Sequence, residues 1–277
     1  MFANIIRCDW YRLVRSRFLQ ITVIVFAVVI GLFALFCTSG NSRFSFGGPT
    51  GNTKDGVPLI DGFVGFAYVD AAHPHFWEIM YSATCFTVIT LFAISITGMI
   101  ITSTDDLNGT TKLAVARGNS QTLMFVSKVI LAVLVTGVLW VLHNLVTLLI
   151  TLSQMDFSLT GEQWSAWVKF IGLSYLVQLV LMLLASWLVL LTRSRVVGFA
   201  VLVVLTFGTI IVTAVNRELD SQVINTLLAI DPVWHLYRIG RAWAETQITG
   251  QALLFCGVAI PVLMAASIIH LRSRELS

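Results

Sequence analysis

Long apolar stretches separated by short polar segments make up most of this chain. Six of them carry no Asp, Glu, Lys or Arg: Phe18 to Ser42, Ile79 to Thr104, Val129 to Met155, Phe170 to Thr192, Val196 to Asn216 and Thr246 to Leu271. Each reaches the length of about 20 mostly apolar residues that a helix needs to cross a bilayer while satisfying its own backbone groups. The pattern predicts an all-α polytopic membrane protein with spans at 18–38, 79–104, 124–153, 170–192, 196–215 and 250–271. A cleaved signal peptide is not expected, because the first apolar run is too long and no small-residue site follows it closely.

The polar segments have patterns of their own. In residues 1–17, Phe2, Ile5, Ile6, Trp10, Leu13 and Val14 recur at helical spacing, with Asn4, Arg7, Arg15 and Ser16 on the other side. That is an amphipathic helix suited to the membrane surface. The loop at 39–78 opens with Gly47, Gly48, Pro49, Gly51 and Gly56, a composition for turns rather than regular structure. Between the third and fourth spans a short piece holds Trp164 and Trp167, placed like interfacial anchors. Little more than Arg193-Ser194-Arg195 joins spans four and five, which makes them antiparallel neighbours. Residues 217–245 contain two semi-apolar helical runs interrupted at Asp231-Pro232, and two short helices dipping into the outer leaflet fit them. Pro261 is expected to kink the last span.

Composition agrees with this organisation. Hydrophobic residues are 57% of the chain and charged residues 11%, against roughly a quarter charged in soluble domains. Mean hydropathy is +0.88. With the N-terminus inside, the inner segments hold eleven basic and four acidic residues, a balance of +7, and the outer segments hold six and ten, a balance of −4. Lys and Arg gather on the cytoplasmic side, so both termini are expected there. Cys8, Cys37, Cys85 and Cys256 are far apart, with no spacing for a disulfide framework or a zinc site.

The most informative polar stretch runs from Asp105 to Ser120, within a cytoplasmic segment at 105–123. Asn108-Gly109 signals a turn, Thr110 to Arg117 has the length of about two helical turns, and Gly118-Asn119 is a stop. Ser120 is placed to cap the next helix. A short helix held between two long spans is a lever that another protein could push.

Here the sequence resembles the ABC-2 permeases, the membrane subunits of bacterial ATP-driven exporters, and within them the bacitracin- and lantibiotic-resistance type. Those subunits carry an acidic-x-Asn-Gly-Thr-x-Lys/Arg segment, a short helix, a Gly-x-Ser stop and a Lys opening the next helix. Asp106, Asn108, Gly109, Thr110, Lys112, Gly118, Ser120 and Lys128 match those places. Asp106 stands where Glu is usual, and Gln121 where a basic residue is common. At the level of layout the resemblance covers the whole chain. It implies an elbow helix, six spans, a coupling helix and short outer helices before the last span. It also implies a cytoplasmic ATPase partner, contacted through Asp106, Asn108, Gly109, Thr110, Lys112, Leu113, Arg117 and Gly118. A second permease copy or a homologous permease, and membrane lipid, complete the expected partners; no nucleic acid is among them. ATP and magnesium would belong to the partner, with no cofactor in this chain. The substrate class implied is an amphipathic peptide, antibiotic or lipid in a bacterial cytoplasmic membrane.

Other chemistries fit less well. No GxxxxGK[ST] loop is present, and Gly47 to Lys54 has the wrong spacing, so any ATPase must be another polypeptide. Asp105-Asp106 lacks the second acidic motif that a magnesium-diphosphate clamp needs. His73-Pro74-His75 near Glu78 is more commonly an exposed pair without a third ligand than a metal site. His143 and Asn144 in span three and Gln178 in span four are polar groups at membrane depth, which hydrogen-bond across helices or line a substrate path. No Ser or Cys has a recognisable base and orienting partner. The competing reading is a non-transport membrane protein, either an intramembrane enzyme or a structural subunit. An intramembrane enzyme should show ionisable groups at membrane depth, and the middles of all six spans lack them.

Overall fold

The computed structural model describes residues 2–38, 44–46, 50–52, 58–60, 64–66, 87–109, 115, 118, 120–153, 159–219, 221–242 and 246–275. Nine helices carry the architecture among these residues: α1 Phe2–Val14, α2 Arg17–Thr38, α3 Thr87–Leu107, α4 Gln121–Ser153, α5 Gly161–Thr192, α6 Arg195–Leu219, α7 Gln222–Leu228, α8 Pro232–Ala242 and α9 Thr246–Glu275. Apolar segments within α4, α5, α6 and α9 are long enough to cross a membrane, and the bent pair α1–α2 makes a fifth if it counts as one span.

Ser16 makes that bend. Its hydroxyl donates to the Leu13 carbonyl at 2.7 Å and accepts from the Leu19 amide at 3.2 Å, so one side chain closes α1 and opens α2. The two axes differ by 63°. Beyond the bend, α2 turns Thr22, Phe26 and Val29 inward and exposes Ile21, Val23, Ile24 and Val28.

The centre of the bundle is α5, which is apolar all round, the pattern of a helix enclosed on every side. Of its apolar window 61% is buried, against 22% for α6 and 17% for α9. It packs against α3, α6, α8 and α9. Close approach depends on small residues at two points. A Cβ at Gly98 of α3 would lie 2.0 Å from Met182 Sδ of α5, and one at Gly198 of α6 would lie 2.6 Å from Val189 Cγ2. The outer faces of α6 and α9 expose Val196, Phe199, Val204, Leu254, Val258 and Val262. An apolar surface this continuous marks contact with lipid or protein.

Several boundaries differ from those expected. The helix expected as a fourth span over 170–192 begins at Gly161, where Thr160 and Gln163 form a reciprocal capping box. Trp164 and Trp167 therefore belong to the first two turns of α5, edge to face at 5.7 Å, and Trp167 is buried. Arg193, with φ +55, closes α5, and α6 starts two residues later. The last helix runs continuously from Thr246 to Glu275 through Pro261.

The first loop holds regular structure where turns alone were expected. Strands β1 Phe44–Phe46 and β4 Val64–Phe66 pair antiparallel, as do β2 Thr50–Asn52 and β3 Pro58–Ile60. Phe44 faces Phe66 and Thr50 faces Ile60, so both ladders keep one register and lie along a single hairpin path. Gly47, Gly48 and Pro49 fall in sequence between β1 and β2, and Gly51 lies within β2.

Candidate functional site

The last turn of α3 contains Asp105 and Asp106, two acids at the helix end where the backbone dipole is negative. Carboxylates there need cations close by, and two other helices supply them. Lys128, in the second turn of α4, places Nζ 2.7 Å from Asp105 Oδ2 and 3.2 Å from Asp9 Oδ1 of α1. Arg12, one turn beyond Asp9, reaches Asp105 Oδ1 at 3.5 Å and Asp9 Oδ1 at 3.9 Å. The Lys128, Asp9 and Asp105 side chains are about nine-tenths buried, whereas Arg12 is 55% exposed. Among the described residues these pairs match two acids with two bases and fasten α1, α3 and α4 to one another.

Asp9 and Arg12 had no part in the sequence reading of the site. A signal for Asp9 was present: it is the only acid before Asp55, and it sits between Ile5 and Leu13 on the inward face of α1. Of the apolar stripe, Trp10 and Val14 are exposed, as is Tyr11 beside them. Arg15 lies over the Tyr11 ring, 4.1 Å from its centre. Lys128, expected near the opening of the next helix, is a buried residue of α4.

The connection from α3 to α4 is described in part. Asn108 and Gly109 form the expected turn, with the Gly109 amide donating to the Asp106 carbonyl at 3.2 Å. Gly109 has φ +72 and Gly118 φ +84, left-handed conformations that suit glycine. Asp106 lines a small cleft with Gln121 and Lys128. Ser120 precedes α4 and accepts from the Leu123 amide at 3.5 Å, a long version of the expected cap. Thr110, Lys112, Leu113 and Arg117, with the coupling helix expected over them, lie outside the described residues, as do His73, Pro74, His75 and Glu78. Among the described residues no group of His, Cys, Asp and Glu could hold a metal ion.

The polar residues at depth are fully enclosed. His143 and Asn144 on α4 and Gln178 on α5 are at most 1% exposed. The His143 ring meets Phe26 edge on at 5.8 Å and stacks near Trp140. Asn144 Nδ2 donates to the Trp140 carbonyl of its own helix at 2.8 Å. Neither Asn144 Oδ1 nor either polar atom of Gln178 has a hydrogen-bond partner among the described residues. The interior position expected for them is present, but the hydrogen bond shown for Asn144 is within α4 rather than across helices.

At the opposite end of the bundle, Asp231 joins α6 to α8. Its carboxylate accepts from Thr209 Oγ1 of α6 and from the Val233 amide at 2.8 Å, capping α8 before Pro232. His235 stacks on Phe255 of α9 at 4.4 Å, and its Nε2 lies 2.9 Å from the Ala229 carbonyl. Burial raises the Asp231 pKa, opposed by its hydrogen bonds to Thr209 and the α8 amides and by His235. Burial lowers that of His235, assisted by Arg238 and opposed by the Ala229 carbonyl and Asp231.

No curated protein matches the sequence. Residues 59–276 match a family described as "Protein of unknown function (DUF2705)", and over that length, most of the chain, the protein belongs to this family.

Proposed function

We propose that this protein is the membrane-spanning permease subunit of an ATP-driven exporter of the ABC-2 kind. In this reading α2, α3, α4, α5, α6 and α9 are the six spans, both termini are cytoplasmic, and α1 is the interfacial elbow. The connection from Asp105 to residue 123 docks on a separate ATPase. Two copies, or this chain and a homologous permease, enclose the path of an amphipathic peptide, antibiotic or lipid.

The ion-pair cluster is the observation that carries the reading. Asp105 lies three residues before the Asn108-Gly109 turn, and Lys128 lies in the second turn of the helix after it. Both roots of the connection are thus held together by a buried ion pair, and Asp9 couples α1 to them. A push on the connection would move α1, α3 and α4 as one body. Without that clamp, the same push would be absorbed by bending at either root.

Purification of the tagged protein in mild detergent, with mass spectrometry of stoichiometric companions, tests the assignment. The expected companion is a soluble chain bearing a GxxxxGK[ST] loop, and a second six-span chain beside it would indicate a heterodimer. Recovery of the protein alone, repeated after crosslinking in cells, would overturn the assignment. Within the complex, Gly109→Pro with Lys112→Glu should uncouple ATP hydrolysis from transport while the protein remains inserted. Unchanged transport would remove the connection from the mechanism.

A further inference from the structure

Two direct side-chain bonds cross from α4 to α5. Thr136 Oγ1 and the Tyr175 hydroxyl lie 2.9 Å apart, and Trp140 Nε1 donates to the Ile171 carbonyl at 3.1 Å. Four residues forward along α4 are matched by four residues back along α5, so the two helices run antiparallel at this seam. Residues four apart share a helix face, one turn further on. The next rung therefore sets Asn144 of α4 against Trp167 of α5.

That rung holds a donor and an acceptor but no bond. Trp167 is 5% exposed and Asn144 0%. Neither Trp167 Nε1 nor Asn144 Oδ1 has a hydrogen-bond partner among the described residues. An indole nitrogen only donates and an amide oxygen only accepts, so the two atoms are complementary. The Asn144 amide is held in place by its other end, where Nδ2 donates to the Trp140 carbonyl at 2.8 Å. Leaving a buried donor and a buried acceptor both unmade costs more than immobilising one water molecule that serves them. Enclosed waters in folded proteins sit in such places, bonded to polar groups that lack protein partners. The way in is short, because Thr160, Gly161 and Glu162 at the head of α5 are exposed, about two turns before Trp167.

We propose that one water molecule is bound between these two residues, accepting from Trp167 Nε1 and donating to Asn144 Oδ1. The α4–α5 seam is then fastened by direct bonds at Thr136 and Trp140 and through water at the rung nearest the head of α5. That end is the easier one to part. The inference rests on the packing of α4 against α5 and not on an ATPase partner, so it and the permease assignment fail separately.

Water-edited solid-state NMR of the full-length protein in phosphatidylcholine vesicles, with the indole nitrogens labelled, provides the test. Trp140 is the internal reference, since its indole is equally enclosed but bonded to a protein carbonyl. Trp167→Phe and Trp140→Phe assign the two signals. Magnetisation that starts on water should reach the Trp167 indole several-fold faster than the Trp140 indole. Asn144→Leu removes the acceptor and should slow Trp167 to the Trp140 rate. Equal build-up at the two indoles of the unaltered protein would overturn the site, as would fast build-up that survives Asn144→Leu. Dipolar recoupling between the Trp167 nitrogen and carbon-labelled Asn144 decides without that variant, should it not fold. One bridging water sets Nε1 and Oδ1 about 4.6 Å apart, two bonds of about 2.8 Å meeting at the tetrahedral angle. A separation of about 3 Å, which is a direct bond, or one beyond about 6 Å, too wide for a single water, would overturn the proposal.

Discussion

Lys128 Nζ lies 2.7 Å from Asp105 Oδ2 in a setting where both side chains are more than nine-tenths buried. Removing one member of a buried pair leaves the other charge uncompensated, which costs about 3–5 kcal/mol. Lys128→Met removes the nearest cation from both Asp9 and Asp105 and should reduce stability by about that much. Thermal unfolding followed by size-exclusion chromatography in detergent measures this. Arg12→Gln provides the contrast: Arg12 is largely solvated, so its loss should cost less than about 1 kcal/mol. Equal losses from the two variants would show that the cluster is not centred on Lys128.

The packing of α6 on α5 gives a second prediction. Gly198→Ala brings a methyl group within 2.6 Å of Val189 Cγ2, 2.5 Å of Met99 Sδ and 3.2 Å of the Ala185 carbonyl. The methionine can move, but a β-branched side chain and a backbone carbonyl give little, so overpacking should cost about 1–3 kcal/mol. Val189→Ala in the same chain should recover part of the loss. A Gly198→Ala protein as stable as the parent would mean that α6 slides on α5 without penalty.

Acid should weaken the α8 end through His235. Its folded pKa lies below the ordinary value of 6.5, chiefly because burial disfavours the charged ring. The folded state therefore binds fewer protons than the unfolded chain just below pH 6.5. Stability from this group is fully present above that pH and lost as pH falls toward the lowered value. Asp231 has the opposite sign: its raised pKa makes stability fall as pH rises from the ordinary carboxylate value of 3.8. Unfolding midpoints measured at intervals from pH 7 to 5 should decline, and His235→Gln should flatten the decline. An identical slope in that variant would assign it to other groups.

Cys8 offers a direct reading of orientation. It is exposed on α1, whereas Cys256 is buried in α9. With Cys37, Cys85 and Cys256 replaced by serine, a membrane-impermeant maleimide should label Cys8 in inside-out vesicles and spare it in right-side-out ones. Labelling from the outer side would place the N-terminus outside and reverse the proposed topology.

How much of this was legible beforehand depends on the range of the interaction. Ser120 stands where its spacing from the Gly118-Asn119 stop puts a helix cap, and Gly109 adopts the positive φ that Asn-Gly signals, because such features need only neighbouring residues. The early start of α5 was also locally encoded, in Thr160 and Gln163, but charges at Glu162 and Lys169 obscured it. The strands of the first loop were hidden by composition: glycines suggested turns, while the pairing of Phe44 with Phe66 joins backbone positions 22 residues apart.

The sequence by itself determined that most of this chain is apolar helix with its charges gathered in short connections, since hydrocarbon accepts few other arrangements. Tertiary structure alone decided that α5 is the enclosed helix and α6 and α9 the exposed ones, because all three are apolar and hydropathy does not rank them. It alone joined Asp9, Arg12, Asp105 and Lys128, charges up to 119 positions apart. Buried charge must find opposite charge wherever the packed helices bring it, and that requirement operates in space rather than along the chain.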